Sequence, residues 1–144
     1  MAQEIVKIDP DSVSSLTLAY VGDSFYELTV RTLALERHNS NAGELNKCAK
    51  AFSNAAAQAR IANLLEEELS EKELRIFKRG RNAKSVSAPH SCSISEYRRA
   101  TGLETLCGYL YLSGEGERAT QLIRTGIAKL EGQPDGQADG QASR

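Results

Sequence analysis

The stretch Leu18–Arg31, LAYVGDSFYELTVR, decides the fold class. Leu18, Val21, Phe25, Leu28 and, beyond it, Leu35 follow three- and four-residue spacing, which predicts the core stripe of a long amphipathic helix. A second line, Leu16, Tyr20, Asp23, Glu27 and Val30, sets two carboxylates into an otherwise apolar row. Gly22 costs such a helix about 1 kcal/mol relative to alanine, and Asp23 beside it is itself a poor helix former. A cost of that kind on an apolar stripe points to a function. The plainer alternative is a carboxylate that caps the helix or pairs with an arginine.

Reading outward, the rest of the chain is also helical, with almost no alternating β-branched runs, so the expected class is all-α. Asp9 before Pro10 makes a good start for the first helix, or for a short turn leading into it, and the helix should run to about Leu35. Asn41 with Glu44 three residues on resembles a capping box. An alanine-rich helix is expected to follow through Leu45, Cys48, Phe52, Ala55, Ala59 and Ala62, its small residues admitting a close neighbour. Ser70 with Glu73, and a Leu69/Leu74 staple, predict a short helix from about Glu71 to Arg79. Arg81–Ser91, with Gly80 before it and Pro89 within it, reads as a mobile loop. Ser93 with Glu96 caps a helix over Ile94–Leu112 that ends near Gly114. Ala119, Leu122, Ile123, Gly126, Ile127 and Leu130 define the last helix.

These elements fit one domain over residues 1–131, because a chain of 144 residues is well below the size at which cores divide. The tail 132–144, GQPDGQADGQASR, has nothing to bury and is expected to be disordered. No apolar run approaches the roughly 20 residues that cross a bilayer, and MAQEIVKIDP lacks the pattern of a secretory or transit signal, so a cytoplasmic location is expected. Cys48, Cys92 and Cys107 form no CxxC, and with only His38 and His90 beside them no zinc-ligand spacing can be assembled.

The net charge of −1 argues against a protein held to nucleic acid by bulk charge. Its distribution says otherwise. From Lys72 to Arg99 eight cations face only Glu73 and Glu96, a local excess of six, while Glu66, Glu67, Glu68 and Glu71 precede them without a cation. Such a run is either a solvated, salt-bridged helix face or a phosphate-facing patch. Glu104 repeats the puzzle of Asp23, as the only charged side chain in TGLETLCGYLYL. A buried, unpaired carboxylate is expensive, so a cation or metal should lie beside it. Two such acids on two helices suggest one shared solution, since Mg²⁺ takes hard oxygen ligands, keeps several waters and needs few carboxylates when phosphate oxygens join in.

Three stretches then carry a resemblance: LAYVGDSFYELTVR, FKRGRNAKS at Phe77–Ser85, and YRRATGLETLCGYLYL at Tyr97–Leu112. Together, and in this order, they resemble Mini-ribonuclease III, the short branch of the ribonuclease III superfamily, over about Leu16–Leu130. The resemblance implies an all-helical, dimeric endonuclease domain that cuts double-stranded RNA with Mg²⁺ and leaves 5′-phosphate and 3′-hydroxyl ends. It implies that Asp23 and Glu104 are the catalytic metal ligands; with fewer acids present, one well-held ion per site is expected, and room for a second only when RNA is bound. Ala19 and Thr101 occupy the positions where full-length ribonuclease III carries its other two acids. Glu27 could orient a metal-bound water, although an i,i+4 pair with Arg31 is the blander role.

With no double-stranded RNA-binding domain read in this sequence, RNA is expected to be held by the catalytic domain, through Lys78, Arg79, Arg81, Asn82, Lys84, Arg98 and Arg99. The resemblance also implies a particular substrate, the precursor of large-subunit ribosomal RNA, cut with help from a large-subunit ribosomal protein. A rival reading is a helical RNA- or ribosome-binding adaptor with a decayed nuclease site. Retention of both acids in costly settings counts against it.

Overall fold

Two glycines that interrupt apolar helices mark the place where those helices touch. In the computed structural model, which describes residues 7–83 and 92–133, every element is helical. They are α1 (Ser15–His38), α2 (Ala42–Ser53), α3 (Ala55–Leu65), α4 (Glu71–Asn82), α5 (Ile94–Leu112) and α6 (Gly116–Glu131), with single 3₁₀ turns at Pro10–Ser12 and Glu66–Glu68. The all-α expectation holds. Helix α5 is the centre, packed by α1, α3, α4 and α6, and from Ala100 to Leu112 it is buried except at Glu104 and Tyr111.

Helix α1 crosses α5 backbone to backbone. A Cβ on Gly22 would lie 1.7 Å from the Glu104 carbonyl oxygen, and one on Gly108 would lie 2.0 Å from that of Leu18. Only glycine fits at either position, and the crossing offsets the helix cost of Gly22. The close approach also corrects the expected stripe. The buried face of α1 is Leu18, Ala19, Gly22, Tyr26, Thr29, Val30, Leu33 and Ala34, whereas Leu28 is 65% and Leu35 49% exposed. Small residues face α5 because bulky ones would hold it away, and several of the bulky ones face outward.

The starts of α2, α4 and α5 follow the predicted caps Asn41, Ser70 and Ser93. Asp9 caps only the Pro10–Ser12 turn, and Ser14 caps α1 by accepting from the Thr17 N–H at 3.2 Å. Ser70/Glu73 and Ser93/Glu96 both form reciprocal capping boxes, and each such cap contributes about 1 kcal/mol. Three boundaries differ from expectation. Helix α1 continues to His38 and stops at Asn39, which is left-handed with φ 38°. The alanine-rich segment is two helices, broken at Asn54, whose extended backbone lets its side chain accept from the Ala57 N–H at 2.8 Å. Helix α4 runs on to Asn82, past Gly80, because a side chain there would collide with Thr105 and its absence lets α4 lie on α5. Arg81 and Asn82 are therefore helical; the rest of the expected loop, 84–91, and most of the tail, 134–144, lie outside the described residues.

Beneath these crossings Tyr26, Ile61, Leu65, Leu103, Leu106, Ile123 and Ile127 are almost wholly buried and form the centre of one core. Helix α6 is tied to α4 by an ion pair that the sequence did not suggest. The Nε and Nη2 of Arg118 donate to the two carboxylate oxygens of Glu73, each at 2.9 Å, and Nη2 also donates to the Glu68 carbonyl at 3.0 Å.

Candidate active site

Because Asp23 directly follows the crossing glycine, it stands at the edge of the α1–α5 contact, next to the turn of α5 that carries Glu104. The crossing brings the two carboxylates within hydrogen-bonding range of each other. Asp23 is exposed and Glu104 is half-buried. Burial, together with the charge of Asp23 and the hydrogen bond to it, pushes the Glu104 carboxyl up to about 8. The side-chain amide of Gln58, from α3, donates to the same carboxylate and opposes that rise. Three helices therefore converge on Glu104.

Two carboxylates that repel each other at an opening to solvent fit a hard divalent cation, which would neutralise both. One turn along α1 the Oε2 of Glu27 accepts from Arg31 Nε at 2.9 Å, and among the described residues no group of three His, Cys, Asp or Glu side chains gathers. This is the blander of its two expected roles. Ala19 and Thr101 stay neutral and buried, with the Thr101 hydroxyl donating to the Tyr97 carbonyl at 3.0 Å. Gln58 escaped the sequence reading. Its signal was a lone amide in the run AAAQARIA, which is easily mistaken for an exposed helix position.

Of the cationic residues, Lys78 and Arg79 are exposed near the end of α4, and Arg98 is exposed near the start of α5. Arg81 Nε donates to Asn82 Oδ1 at 3.1 Å, and Arg99 donates to Asn63 of α3. Lys84 lies outside the described residues. Phe77 packs on Gly102, so the cations of α4 and those one turn before Gly102 come from adjoining parts of two packed helices. Arg99 and Glu104 are five residues apart on α5, about 8 Å along the axis at a rise of 1.5 Å per residue. Among the described residues none of Lys78, Arg79, Arg81, Arg98 or Arg99 is in an ion pair; the neighbouring acids Glu67, Glu68 and Glu73 pair instead with Lys129 and Arg118 of α6.

A third surface flanks the carboxylates. A groove of about 440 Å³ is lined by Tyr20, Val21, Asp23, Ser24, Phe25, Leu28 and Tyr111. Tyr20 is 80% exposed, and Phe25 packs on Tyr111 with ring centroids 5.7 Å apart.

Comparison with known proteins sets the class. Residues 16–115 match the Ribonuclease III domain, which makes this helical domain an endoribonuclease. Similar proteins include Mini-ribonuclease 3 of Clostridium tetani, 34% identical over all of this chain and 96% of its own length, and that of Brevibacillus brevis, 39% identical over 92% and 99%. A crystal structure of protein FN1578 from Fusobacterium nucleatum superposes with a TM-score of 0.74 at 35% identity, covering 85% of this chain and 98% of that one. The chain belongs to the Mini-ribonuclease 3 family.

Proposed function

We propose that this endoribonuclease cleaves double-stranded RNA with Mg²⁺ held by Asp23 and Glu104, acts as a homodimer in the cytoplasm, and matures the precursor of large-subunit ribosomal RNA. The observation that carries the reading is the pairing of two carboxylates across the glycine crossing of α1 and α5. Asp23 and Glu104 would hold the Mg²⁺, which when bound would supply Lewis-acid activation of the phosphate and of water and charge stabilisation for the leaving oxygen. The protein's part is to hold the two carboxylates on rigid helices and to present the phosphate to them. Hydrolysis adds the oxygen of water to phosphorus and breaks the bond to the 3′ oxygen, which leaves protonated. The products are a 5′-phosphate and a 3′-hydroxyl.

Lys78, Arg79, Arg81, Asn82, Lys84, Arg98 and Arg99 hold the backbone of the duplex. A-form RNA hides its base edges in a deep groove and presents phosphates and 2′-hydroxyls, which suits flexible cations. With few such contacts per subunit, binding is weak and strongly salt-dependent. Dimerisation doubles the patch, and the exposed apolar side chains Leu16, Tyr20, Leu28, Leu35 and Tyr111 supply the surface for a second copy. The ribosomal substrate and a large-subunit ribosomal protein as helper rest on the family resemblance. No described helix is long and apolar enough to cross a membrane.

The test is incubation of the purified protein with duplex and single-stranded RNA in Mg²⁺ or in EDTA, with the product ends mapped. Cleavage of the duplex in Mg²⁺ alone, leaving 5′-phosphates, is expected. Cleavage that persists in EDTA would contradict the metal reading, and a preference for single strands would contradict the substrate.

A further inference from the structure

We propose that Gln58 is a positioning residue of this site, holding the Glu104 carboxylate in the orientation that receives the metal ion. The proposal rests on the Asp23/Glu104 metal reading above and adds a residue to it.

Gln58 occupies a place where an amide is costly. It lies in the second turn of α3, in a stretch of alanines, and is 3% exposed. An amide taken out of water without a partner costs roughly 1–3 kcal/mol, so a glutamine persists there only if its polar end is used. The partner is the carboxylate of Glu104, to which the Gln58 amide donates. A carboxylate has two oxygens. One that accepts from a fixed N–H is held in a defined orientation, and Asp23 lies within hydrogen-bonding range of the same carboxylate.

The surroundings of Gln58 are fixed from both ends. Asn54 caps α3 four residues earlier, and just before it the Phe52 carbonyl accepts from the Tyr26 hydroxyl at 2.7 Å. Tyr26 stands three residues after Asp23 on α1, so the helix that carries one metal carboxylate also holds the junction from which Gln58 springs. On the far side Asn63 accepts from Arg99, which joins α3 to α5 again about one turn beyond. An anchored donor of this kind matches the general design of metal sites, in which ligating carboxylates are themselves hydrogen-bonded and loss of the outer partner typically weakens metal affinity or activity by about 10–100-fold.

The test uses the full-length protein and Mn²⁺ as the probe ion. Mn²⁺ affinity is measured by calorimetry without RNA for wild type, Gln58→Leu, Gln58→Asn and Glu104→Gln, beside thermal unfolding in EDTA and the Mg²⁺ dependence of the rate at saturating RNA. Gln58→Leu keeps the bulk and removes the donor. Gln58→Asn keeps the amide but shortens its reach by one methylene, and it serves if the leucine variant does not fold. The inference expects either folded variant to bind Mn²⁺ at least about tenfold more weakly and to need correspondingly more Mg²⁺ for half-maximal rate. A residue that only packs would change the unfolding temperature and leave both metal readouts alone. If wild type binds Mn²⁺, Glu104→Gln does not, and a folded Gln58 variant binds like wild type, the inference is overturned while the metal reading stands. If wild type itself binds no Mn²⁺, the metal reading fails and this inference falls with it.

Discussion

The guanidinium of Arg118 against Glu73 holds that carboxyl below its ordinary value of 4.5. A lowered folded value means that the unfolded chain binds the more protons in the window between the two, so stability rises with pH there. The stabilisation is complete above about pH 4.5 and fades as the pH falls through the folded value. Glu73→Gln should cost about 2–3 kcal/mol at pH 7, below the 3–5 of a fully buried pair because Arg118 reaches solvent. It should also flatten the acid limb, and urea titrations at pH 7 and pH 3 check both; an unchanged limb would assign the slope to other acids. At this scale the sequence was informative wherever charge was out of place. Asp23 and Glu104 stood out because each is an acid in an apolar row, and both lie where the helices cross. Gln58 carries no charge and did not stand out, and neither did the pairing of Glu73 with Arg118, which is 45 residues away along the chain.

Helices announce their beginnings through side chains that accept from free N–H groups, and so the starts of α2, α4 and α5 were legible from Asn41, Ser70 and Ser93. The break at Asn54 was not, because alanine favours helix on both sides of it and the cap needs a chain reversal that periodicity does not report. The core face of α1 was misread for a related reason. Bulky residues signal burial, but the backbone at Leu18 and Gly22 is what α5 approaches, and the closeness of that contact is a property of two helices together. The crossing itself can be tested. Gly22→Ala would force the two backbones apart and should destabilise the fold by about 3 kcal/mol, the upper range for overpacking, since no flexible side chain can give way. Its cleavage rate per folded molecule should fall further, because the carboxylates separate. Denaturant titration and a rate at saturating RNA divide the two effects, and a folded Gly22→Ala variant with full activity would show that the spacing of Asp23 and Glu104 is not set by this contact.

For the molecule as a whole, the helical class followed from the sequence, while the outward-facing positions of Leu28 and Leu35 on α1 did not, since both were assigned to the core stripe. That face, with Tyr20 and Leu28 at its most exposed, predicts sedimentation at about twice the 15.7 kDa chain mass for wild type and at the chain mass for Leu28→Glu. A wild-type monomer that still cuts both strands would remove the second copy from the account. The most direct test of the central claim is duplex cleavage at saturating Mg²⁺ by wild type, Asp23→Asn and Glu104→Gln, each confirmed folded and able to bind RNA. Each substitution keeps shape and removes one charge. Losses of more than about a hundredfold in rate, beyond the range seen for outer partners of metal ligands, are predicted for both; wild-type turnover by either variant would contradict the account.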